Sequence, residues 1–410
     1  MQRAKRVTFT AVLAIPEFRA MWAAELLSVA GDQLARVALS VLVFQRTNSA
    51  ALTGLTYALT FVPALAGGVL LAGLADRHPR RDVMIAADVA RAILVGLMAV
   101  PGMPLLLLCV LVAVTTLLNG PFKAAQQALL PDVLAGDKYT VGLALRNVTS
   151  QSAQLVGFAG GGTLVSAINP NVGLGLNAAT FAASAIVLGA GVTSRPVPTD
   201  ATDGGGMSFL ASTTQGARLV WRDPRLRSLI ALSWLAGFYV VPEALAAPYA
   251  GALGASAAAV GLIMASDPLG SVIGGIVFGK WVPGHLQVKV IGILGVLAGI
   301  PLVLCVLRPG LITSMVLFAV SGMLATGYNI QGTALFTRGL PEAQRAQGAG
   351  LLSSGLITVQ GLGALAAGVL ADLIGPTDTI AVAGAVGTLV AVPIAVGWNR
   401  ARPRPAEGWQ

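Results

Sequence analysis

The chain of 410 residues is 55% hydrophobic and only 10% charged, and its mean hydropathy is +0.79. A soluble protein of this length could not bury so large an apolar fraction, so the composition excludes a water-soluble protein. The net charge of +9 comes from basic residues scattered through short segments, and this scatter argues against a nucleic-acid partner. Segments that cross lipid must satisfy their own backbone hydrogen bonds, so the apolar stretches predict helices.

Twelve apolar stretches, each close to the length that crosses a bilayer, follow one another along the chain. We therefore expect an all-α integral membrane protein with twelve transmembrane helices in two six-helix, pseudo-symmetric halves. The expected domains are an N-terminal half over residues 1–193, a cytoplasmic linker over 194–226, and a C-terminal half with the tail over 227–410. The predicted spans are 20–45, 51–73, 83–101, 104–129, 141–167, 172–193, 228–248, 257–280, 288–307, 311–336, 347–372 and 378–398.

Lysine and arginine side chains are concentrated on one predicted face of the membrane. They precede span one, follow each even-numbered span, as Lys138 and Arg146 do after span four, and occupy the linker and the tail. The opposite face has only Arg46 and Arg308. Because basic loops stay in the cytoplasm, both termini and the linker are predicted to be cytoplasmic. We expect a monomeric, multi-pass protein of the plasma membrane, with the lipid bilayer around it.

An internal repeat supports the division into two halves. A proline begins similar segments at the entry to span one, Pro16, and to span seven, Pro224. The two prolines are offset by 208 residues, and a pattern shared by spans five and eleven is offset by 206. That pattern is Gln154, Gly157 and Gly162 in span five and Gln360, Gly363 and Gly368 in span eleven. Because six spans restore the direction of the chain, the halves are predicted to be parallel repeats about an axis along the membrane normal.

Span one carries three charged residues inside the membrane, where an uncompensated charge is costly. Asp32 lies near the midplane, Glu25 two turns earlier on the same face, and Arg36 one turn beyond Asp32. We expect all three to face the protein interior. In the functional interpretation, Asp32 or Glu25 takes and releases a proton and Arg36 modulates this exchange. The alternative is a static Asp32–Arg36 pair that holds the helix in register.

Two further acids lie in predicted spans of the second half. Asp267 is near mid-membrane, just before Pro268 and without a basic residue within a turn. It is interpreted either as a proton or cation site or as the N-cap of a half-helix broken at the proline. Glu243 lies toward the outer end of span seven, where it either binds a cation or faces water. Asp88 and Arg91 in span three are predicted to form a structural pair.

Other polar and aromatic side chains in the spans are candidates for a substrate cavity, although helix packing is the simpler explanation for any single one. Acids outnumber bases in mid-membrane, which favours cationic or zwitterionic substrates. The sequence has no Walker loop and no cysteine–histidine cluster, so we expect neither enzymatic activity nor a bound cofactor or metal. The candidate substrate-binding residues are Asn147, Gln151, Gln154, Trp234, Tyr239, Tyr328, Asn329, Gln331 and Gln360.

The loop after span two, residues 73–81, reads G-L-A-D-R-H-P-R-R. It resembles the signature loop of the major facilitator superfamily, G-x-L-A-D-R-x-G-R-[RK], with Ala72 and Pro79 in place of the two glycines. The resemblance implies the major facilitator fold. The charged side chains of the loop are expected to form a cytoplasmic gate by contacting helix ends or basic and acidic groups of the other half. The alternative is that the arginines only fix the topology. The gate residues are Asp76, Arg77, Arg80 and Arg81.

Three more segments resemble the exporter branch of this superfamily, which includes macrolide efflux pumps and the enterobactin exporter. They read F-R-x-x-W from Phe18, S-x-x-G-D from Ser28 and A-L-L-P-D from Ala128. The antiporter pattern G-P-x-x-G-G is present from Gly157 without its proline. The resemblance implies a proton-coupled exporter of amphiphilic small molecules that works by rocking of its two halves. The alternatives are a nutrient importer or uniporter, and a lipid flippase or non-transporting protein of the same fold.

The predicted topology is tested by the reactivity of single cysteines in intact cells. In a chain whose Cys109 and Cys305 have been replaced, we expect a cysteine in place of Gly205 to resist an impermeant thiol reagent, because the linker is predicted to be cytoplasmic. A cysteine in place of Pro309, in a loop predicted on the outer face, should react. Labelling at position 205 would contradict the predicted orientation.

Overall fold

The computed structural model of the chain describes residues 8–71, 73–196, 218, 220–341 and 344–401. Every regular element in these residues is a helix, which confirms the all-α fold class. The first ten helices are α1 (Phe9–Leu13), α2 (Pro16–Thr47), α3 (Ala50–Ala58), α4 (Val62–Leu70), α5 (Leu74–Arg77), α6 (Arg80–Met98), α7 (Leu105–Leu117), α8 (Asn119–Val133), α9 (Asp137–Ala167) and α10 (Pro170–Gly191).

The helices that follow the linker are short where span seven is predicted and again at residues 300–303. They are α11 (Pro224–Trp234), α12 (Ala236–Tyr239), α13 (Val241–Ala244), α14 (Ala246–Ala252), α15 (Ala257–Trp281), α16 (Gly284–Leu297), α17 (Ile300–Val303), α18 (Leu311–Gly339), α19 (Arg345–Ile374) and α20 (Pro376–Ala401). A turn of 3-10 helix over Leu304–Leu307 lies between α17 and α18.

Nine helical segments of the described chain are long and apolar enough to cross a membrane. A tenth is added if Pro224–Ala244 and Ala246–Ala252, which are bent by 45° relative to each other, form one span. The remaining two predicted spans coincide with α6 and α9, whose charged and polar residues make them less apolar than the others. Each predicted span therefore coincides with helical structure.

The helices form two compact units. Among the described residues, the first unit falls within Met1–Leu42 and Leu59–Gly204, and the second within Val43–Ala58 and Gly205–Gln410. The end of α2 and all of α3 therefore pack with helices of the second unit, although the sequence assigns them to the N-terminal half. Residues 197–217 of the predicted linker lie outside the described residues, so the domain boundaries stay predictions.

The two segments that suggest the repeat both begin helices. α2 begins at Pro16 and α11 begins at Pro224. Proline suits the first turn of a helix, because the amide that it lacks has no partner within the helix at that position. The Asp223 side chain completes the start of α11 by accepting a hydrogen bond of 2.8 Å from the Arg225 amide.

Glycines of the predicted repeat let two helices pack with their backbones in contact within each unit. In the first unit, a Cβ atom added at Gly157 of α9 would lie 2.9 Å from the carbonyl oxygen of Ala30 in α2. In the second unit, a Cβ atom at Gly363 of α19 would overlap the carbonyl oxygen of Gly237 in α12. Equivalent helices of the two halves therefore meet through glycines at equivalent positions, as a duplication predicts.

We expect Gly363→Ala to destabilise the second unit, because the new methyl group would have to displace the Gly237 carbonyl. Overpacking of this kind costs ~1–3 kcal/mol and should lower the melting temperature measured in detergent. Gly350→Ala on the same helix is the matched control, because a Cβ atom added there meets no described atom within 4 Å. Equal melting temperatures of the two variants would contradict the close packing of α12 and α19.

Candidate functional site

Asp32 lies on α2 at the wall of a small cavity within the first unit. The cavity has a volume of about 50 Å³, enough for a few water molecules but too small for an organic substrate. The Asp32 side chain is half-buried at the wall of this cavity. The polar lining comes from Asp32, Arg36, Thr60, Thr115, Thr116, Asn119 and Asn177.

A glycine next to Asp32 lets α10 approach the carboxylate. A Cβ atom at Gly31 would overlap the side chains of Asn177 and Thr180 on α10, so only glycine leaves enough room there. The buried Asn177 side chain forms a hydrogen bond with Asp32. The glycine–aspartate pair of the exporter-like segment therefore places a carboxylate against a buried amide.

Three basic side chains lie within electrostatic range of Asp32. Arg91 has the largest electrostatic effect on the Asp32 carboxylate, followed by Arg36 and Lys123. The Arg36 guanidinium also lies 4.9 Å from the centre of the Phe61 ring, in a cation–π contact. Positive charge stabilises the Asp32 carboxylate, whereas removal from water destabilises it.

Asp88 and Arg91 form the buried ion pair that the sequence predicts, with 0% and 1% of their surfaces exposed. Asp88 also accepts a hydrogen bond of 2.6 Å from the Ser184 hydroxyl. The Arg91 guanidinium contacts the rings of Phe122 and Phe181, at 4.5 and 4.4 Å from their centres. The pair therefore joins α6 to α8 and α10 and forms part of the frame around Asp32.

Glu25 forms an ion pair with Arg146 of α9, whose Nε and Nη2 atoms lie 2.5 and 2.8 Å from the two carboxylate oxygens. Arg146 lies within α9, which begins at Asp137. The ion pair borders a cavity of about 280 Å³ that is also lined by Asn147. The structure thus brings together Glu25 and Asn147, and the direct contact with Arg146 favours a structural role for Glu25.

The first unit holds more basic than acidic side chains around these contacts. The expectation that acids outnumber bases in mid-membrane covers the whole chain and stays a prediction. The sequence contained a signal for one of the missed bases, because Lys123 lies inside the predicted span 104–129. The charged groups are Glu25, Asp32 and Asp88 on the acidic side, and Arg36, Arg91, Lys123 and Arg146 on the basic side.

Asp267 lies inside an unbroken helix of the second unit. α15 runs over Ala257–Trp281 with Pro268 in its interior, so the predicted N-cap of a half-helix is wrong. A proline removes one backbone hydrogen bond, but a membrane helix packed against its neighbours can continue through it. The Asp267 carboxylate packs against Gly322 of α18, where an added Cβ atom would lie 2.5 Å from Oδ1.

Glu243 is buried in the second unit, with 8% of its surface exposed, so the alternative in which it faces water is wrong. Its carboxylate accepts a hydrogen bond from the Tyr57 hydroxyl of α3. Glu243 also contributes to the electrostatic environment of Asp267. Two acids on different helices therefore influence each other. Sequence reasoning missed Tyr57, because a single tyrosine in an apolar span gives no signal of its partner.

Some of the predicted cavity residues take part in helix packing. The Tyr239 hydroxyl donates a hydrogen bond of 2.8 Å to the Gly295 carbonyl, and Gln331 hydrogen-bonds Gln287. Both contacts join neighbouring helices, which favours a structural role for Tyr239 and Gln331. Among the other candidates, Tyr328 is buried, Asn147 and Gln151 are exposed, and half-buried positions are held by Gln154, Trp234, Asn329 and Gln360.

The signature loop contacts helices of its own unit. Arg80 donates a hydrogen bond of 2.7 Å to the Asp132 carboxylate, and Arg81 donates to a backbone carbonyl of α10. Asp132 ends the A-L-L-P-D segment, so two stretches that carry the family resemblance meet in space. Arg77 is exposed, and the side chain of Asp76 lies outside what the structure describes. Arg80 and Arg81, two of the four predicted gate residues, thus hold the loop against helices of its own unit.

Comparison with protein families gives a match over both halves of the chain. The model of the Major Facilitator Superfamily matches residues 21–246 and again residues 239–409. No curated protein matches the chain.

Several solved structures resemble the fold over nearly the whole chain. A point mutant of the nucleoside transporter NupG is 12% identical, with a TM-score of 0.77 over 94% of this chain and 99% of that one. The peptide transporter POT in complex with sulfate is 16% identical, with a TM-score of 0.73 over 97% and 96%. A bacterial homolog of the human lysosomal transporter Spinster is 15% identical, with a TM-score of 0.66 over 94% and 95%. At these identities the similarity shows the fold alone.

Removal of one partner of the buried Asp88–Arg91 pair should destabilise the protein more than removal of both charges. Arg91→Met leaves the Asp88 carboxylate buried without its counter-charge, which costs ~3–5 kcal/mol. The double variant Asp88→Asn/Arg91→Met leaves neither charge, so we expect its melting temperature in detergent to exceed that of Arg91→Met. A double variant that melts at or below the temperature of Arg91→Met would contradict the role of charge compensation.

Proposed function

The chain belongs to the Major Facilitator Superfamily and is a secondary transporter rather than an enzyme, and we propose that it couples proton movement to the export of amphiphilic small molecules by alternating access. The observation that carries this proposal is the Asp32 carboxylate at a water-sized polar cavity in the first unit. In the proposed arrangement the protein is a monomer of the plasma membrane, with both termini in the cytoplasm.

The proposed coupling depends on two opposing effects on Asp32. Positive charge and water stabilise its carboxylate anion, and removal from water destabilises it. When water fills the cavity, the carboxylate anion is stabilised by this water and by the nearby positive charge of Arg36. When the cavity loses water, the neutral acid is favoured, and its hydrogen bond to Asn177 can persist. A conformational change that opens and closes access to the cavity would therefore load and release a proton in each cycle.

Asp267 and Glu243 are proposed as a second proton-binding pair, in the second unit. Two carboxylates that influence each other tend to share a proton, because their simultaneous ionisation is unfavourable. Glu243 is additionally bound to Tyr57 of α3, so a movement of α3 would change the environment of the pair. This dependence on α3 gives the second unit its own link between conformation and protonation.

Export is the direction that the resemblance to macrolide and enterobactin exporters favours. The predicted spans offer few polar side chains for a sugar-like nutrient, which supports an amphiphilic substrate. Import of a small polar nutrient is the second candidate, because similar solved structures are named as nucleoside and peptide transporters. The direction of substrate movement relative to the proton gradient distinguishes the two.

The cytoplasmic gate is proposed to use Asp76 and Arg77. Arg80 and Arg81 hold the signature loop on α8 and α10 through their hydrogen bonds. A loop fixed in this way can present Asp76 and Arg77 to helix ends when the cytoplasmic side closes. In this proposal Arg80 and Arg81 anchor the loop, and Arg77 takes part in the gate.

Proteoliposomes with an imposed pH gradient test the proposed coupling across a panel of amphiphilic compounds. The parent should transport a substrate uphill at the expense of the gradient. Asp32→Asn should abolish uphill transport but retain downhill exchange, because the amide keeps the size of the acid and cannot carry a proton. Asp267→Asn and the Asp32→Asn/Asp267→Asn double variant show whether the second unit contributes to the coupling.

Asp137→Asn is the matched control, because Asp137 is an exposed acid at the start of α9, away from the described cavity around Asp32. It should transport like the parent. Full gradient-driven transport in Asp32→Asn would place the proton site elsewhere. Full transport in the Asp32→Asn/Asp267→Asn double variant would rule out coupling by these two acids.

A further inference from the structure

The carboxylate of Asp372, near the end of α19, covers the beginning of α3. It accepts hydrogen bonds from the Ala50 amide at 2.6 Å, the Ala51 amide at 3.2 Å and the Ser49 hydroxyl at 2.8 Å. The first amides of a helix have no partner within it, and the helix dipole favours a negative charge there. Asp372 therefore caps α3 from a position 321–323 residues away in the sequence.

α3 can keep its first turn without Asp372. Ser49 directly precedes the helix, and its hydroxyl already accepts a hydrogen bond of 3.2 Å from the Leu52 amide, as a local N-cap does. Asp372 is exposed, so water can replace its carboxylate at the amides of Ala50 and Ala51. The hydrogen bonds of this cap can therefore exchange for water while both helices stay intact.

Glycines next to this cap bring α3 and α19 into backbone contact. A Cβ atom at Gly54 would lie 2.9 Å from the Cα atom of Gly368, and a Cβ atom at Gly368 would lie 2.7 Å from the Ala50 carbonyl oxygen. Tyr57, which donates to Glu243, follows one turn later. Positions 50, 54 and 57 lie on one face of a helix, so a single face of α3 makes all of these contacts.

This face joins segments that the sequence assigns to different halves. α3 ends at Ala58, and α4 begins at Val62 after a turn over residues 59–61. Residues 43–58 pack in the second unit, whereas the chain returns to the first unit at Leu59. The alternating access proposed above moves the halves relative to each other. That motion must either break the contacts of α3 or carry residues 43–58 with the second unit.

We propose that Asp372 is a positioning residue of the transport cycle, whose carboxylate holds α3 on α19 in one conformation and releases it in the other. The outer latch is defined as Asp372 and Gly368 of α19 with Ser49, Ala50 and Gly54 at the start of α3. It lies at the predicted outer ends of spans two and eleven, opposite the predicted cytoplasmic gate. This inference rests on the proposed transport function.

A cysteine in place of Thr53 reports whether the outer latch is closed. Thr53 lies on α3 with 1% of its surface exposed, so in a chain without Cys109 and Cys305 the new cysteine should react slowly with a polar maleimide. The protein is held in lipid nanodiscs, where the reagent reaches both faces. Asp372→Asn removes the capping charge and Gly368→Ala pushes the helices apart, so each should speed labelling about fivefold or more.

Asp378→Asn and Gly350→Ala are the matched controls. Asp378 lies in the first turn of α20, 3.7 Å from Arg308 and on the same predicted outer face as the latch. Gly350 shares α19 with Gly368, but a Cβ atom added there would touch no described atom within 4 Å. Both variants should label at the rate of the parent. Faster labelling in these controls as well would indicate general loosening and overturn the specific role of Asp372.

Transport by the same variants separates this inference from the proposed function. We expect Asp372→Asn to alter the rate of gradient-driven transport while its melting temperature stays close to that of the parent. If the parent transports but Asp372→Asn and Gly368→Ala label at the parental rate, residues 43–58 move with the second unit and the latch is wrong. If the parent transports no compound of the panel under a pH gradient, the proposed function fails whatever the labelling rates are.

Discussion

An ionised side chain inside a membrane protein needs a counter-charge or water, and this requirement organises the first unit. Asp88 and Arg91 satisfy it with each other and tie three helices together. Glu25 satisfies it in the same way through another arginine. Asp32 instead faces a small polar cavity with several basic groups at a distance. Its charge can therefore follow the hydration of the cavity. This difference is why we propose Asp32 as the proton-binding site.

Close packing through glycine is the second constraint on the fold. Gly157 and Gly363 bring equivalent helix pairs together, α9 with α2 and α19 with α12. Gly54 and Gly368 make the same kind of contact between α3 and α19, but there it lies beside an exposed carboxylate that water can replace. In the proposed cycle, contacts that stay closed and contacts that separate therefore use the same glycine packing. What distinguishes them is whether water can satisfy the polar groups that the separation leaves.

The fold class was predictable because lipid admits few ways to satisfy a backbone, so apolar length alone indicates helices. The Asp88–Arg91 pair was predictable as well, because a spacing of one helical turn places both side chains on one face. The alternative of a helix break at Pro268 was wrong because local sequence does not show whether neighbouring helices support a proline. The alternative in which Glu243 faces water was wrong because the direction of a side chain around a helix depends on which helices lie next to it.

Contacts between distant parts of the chain account for what the sequence could not predict. The pairing of Tyr57 with Glu243 and the capping of α3 by Asp372 join residues that no local spacing relates. Both require knowledge of which helices are neighbours, and that information resides in packing rather than in a motif. Lys123 is different, since its charge inside a predicted span was visible and only its relation to Asp32 required the structure.

The most direct test of the central claim is the response of substrate flux to reversal of the pH gradient, with the unmodified protein in proteoliposomes and no substrate gradient at the start. Coupling through exchange with protons predicts that net substrate movement reverses when the gradient is reversed, and that protons move in the opposite direction to the substrate. No net substrate movement under either orientation of the pH gradient, or protons that move in the same direction as the substrate, would contradict it.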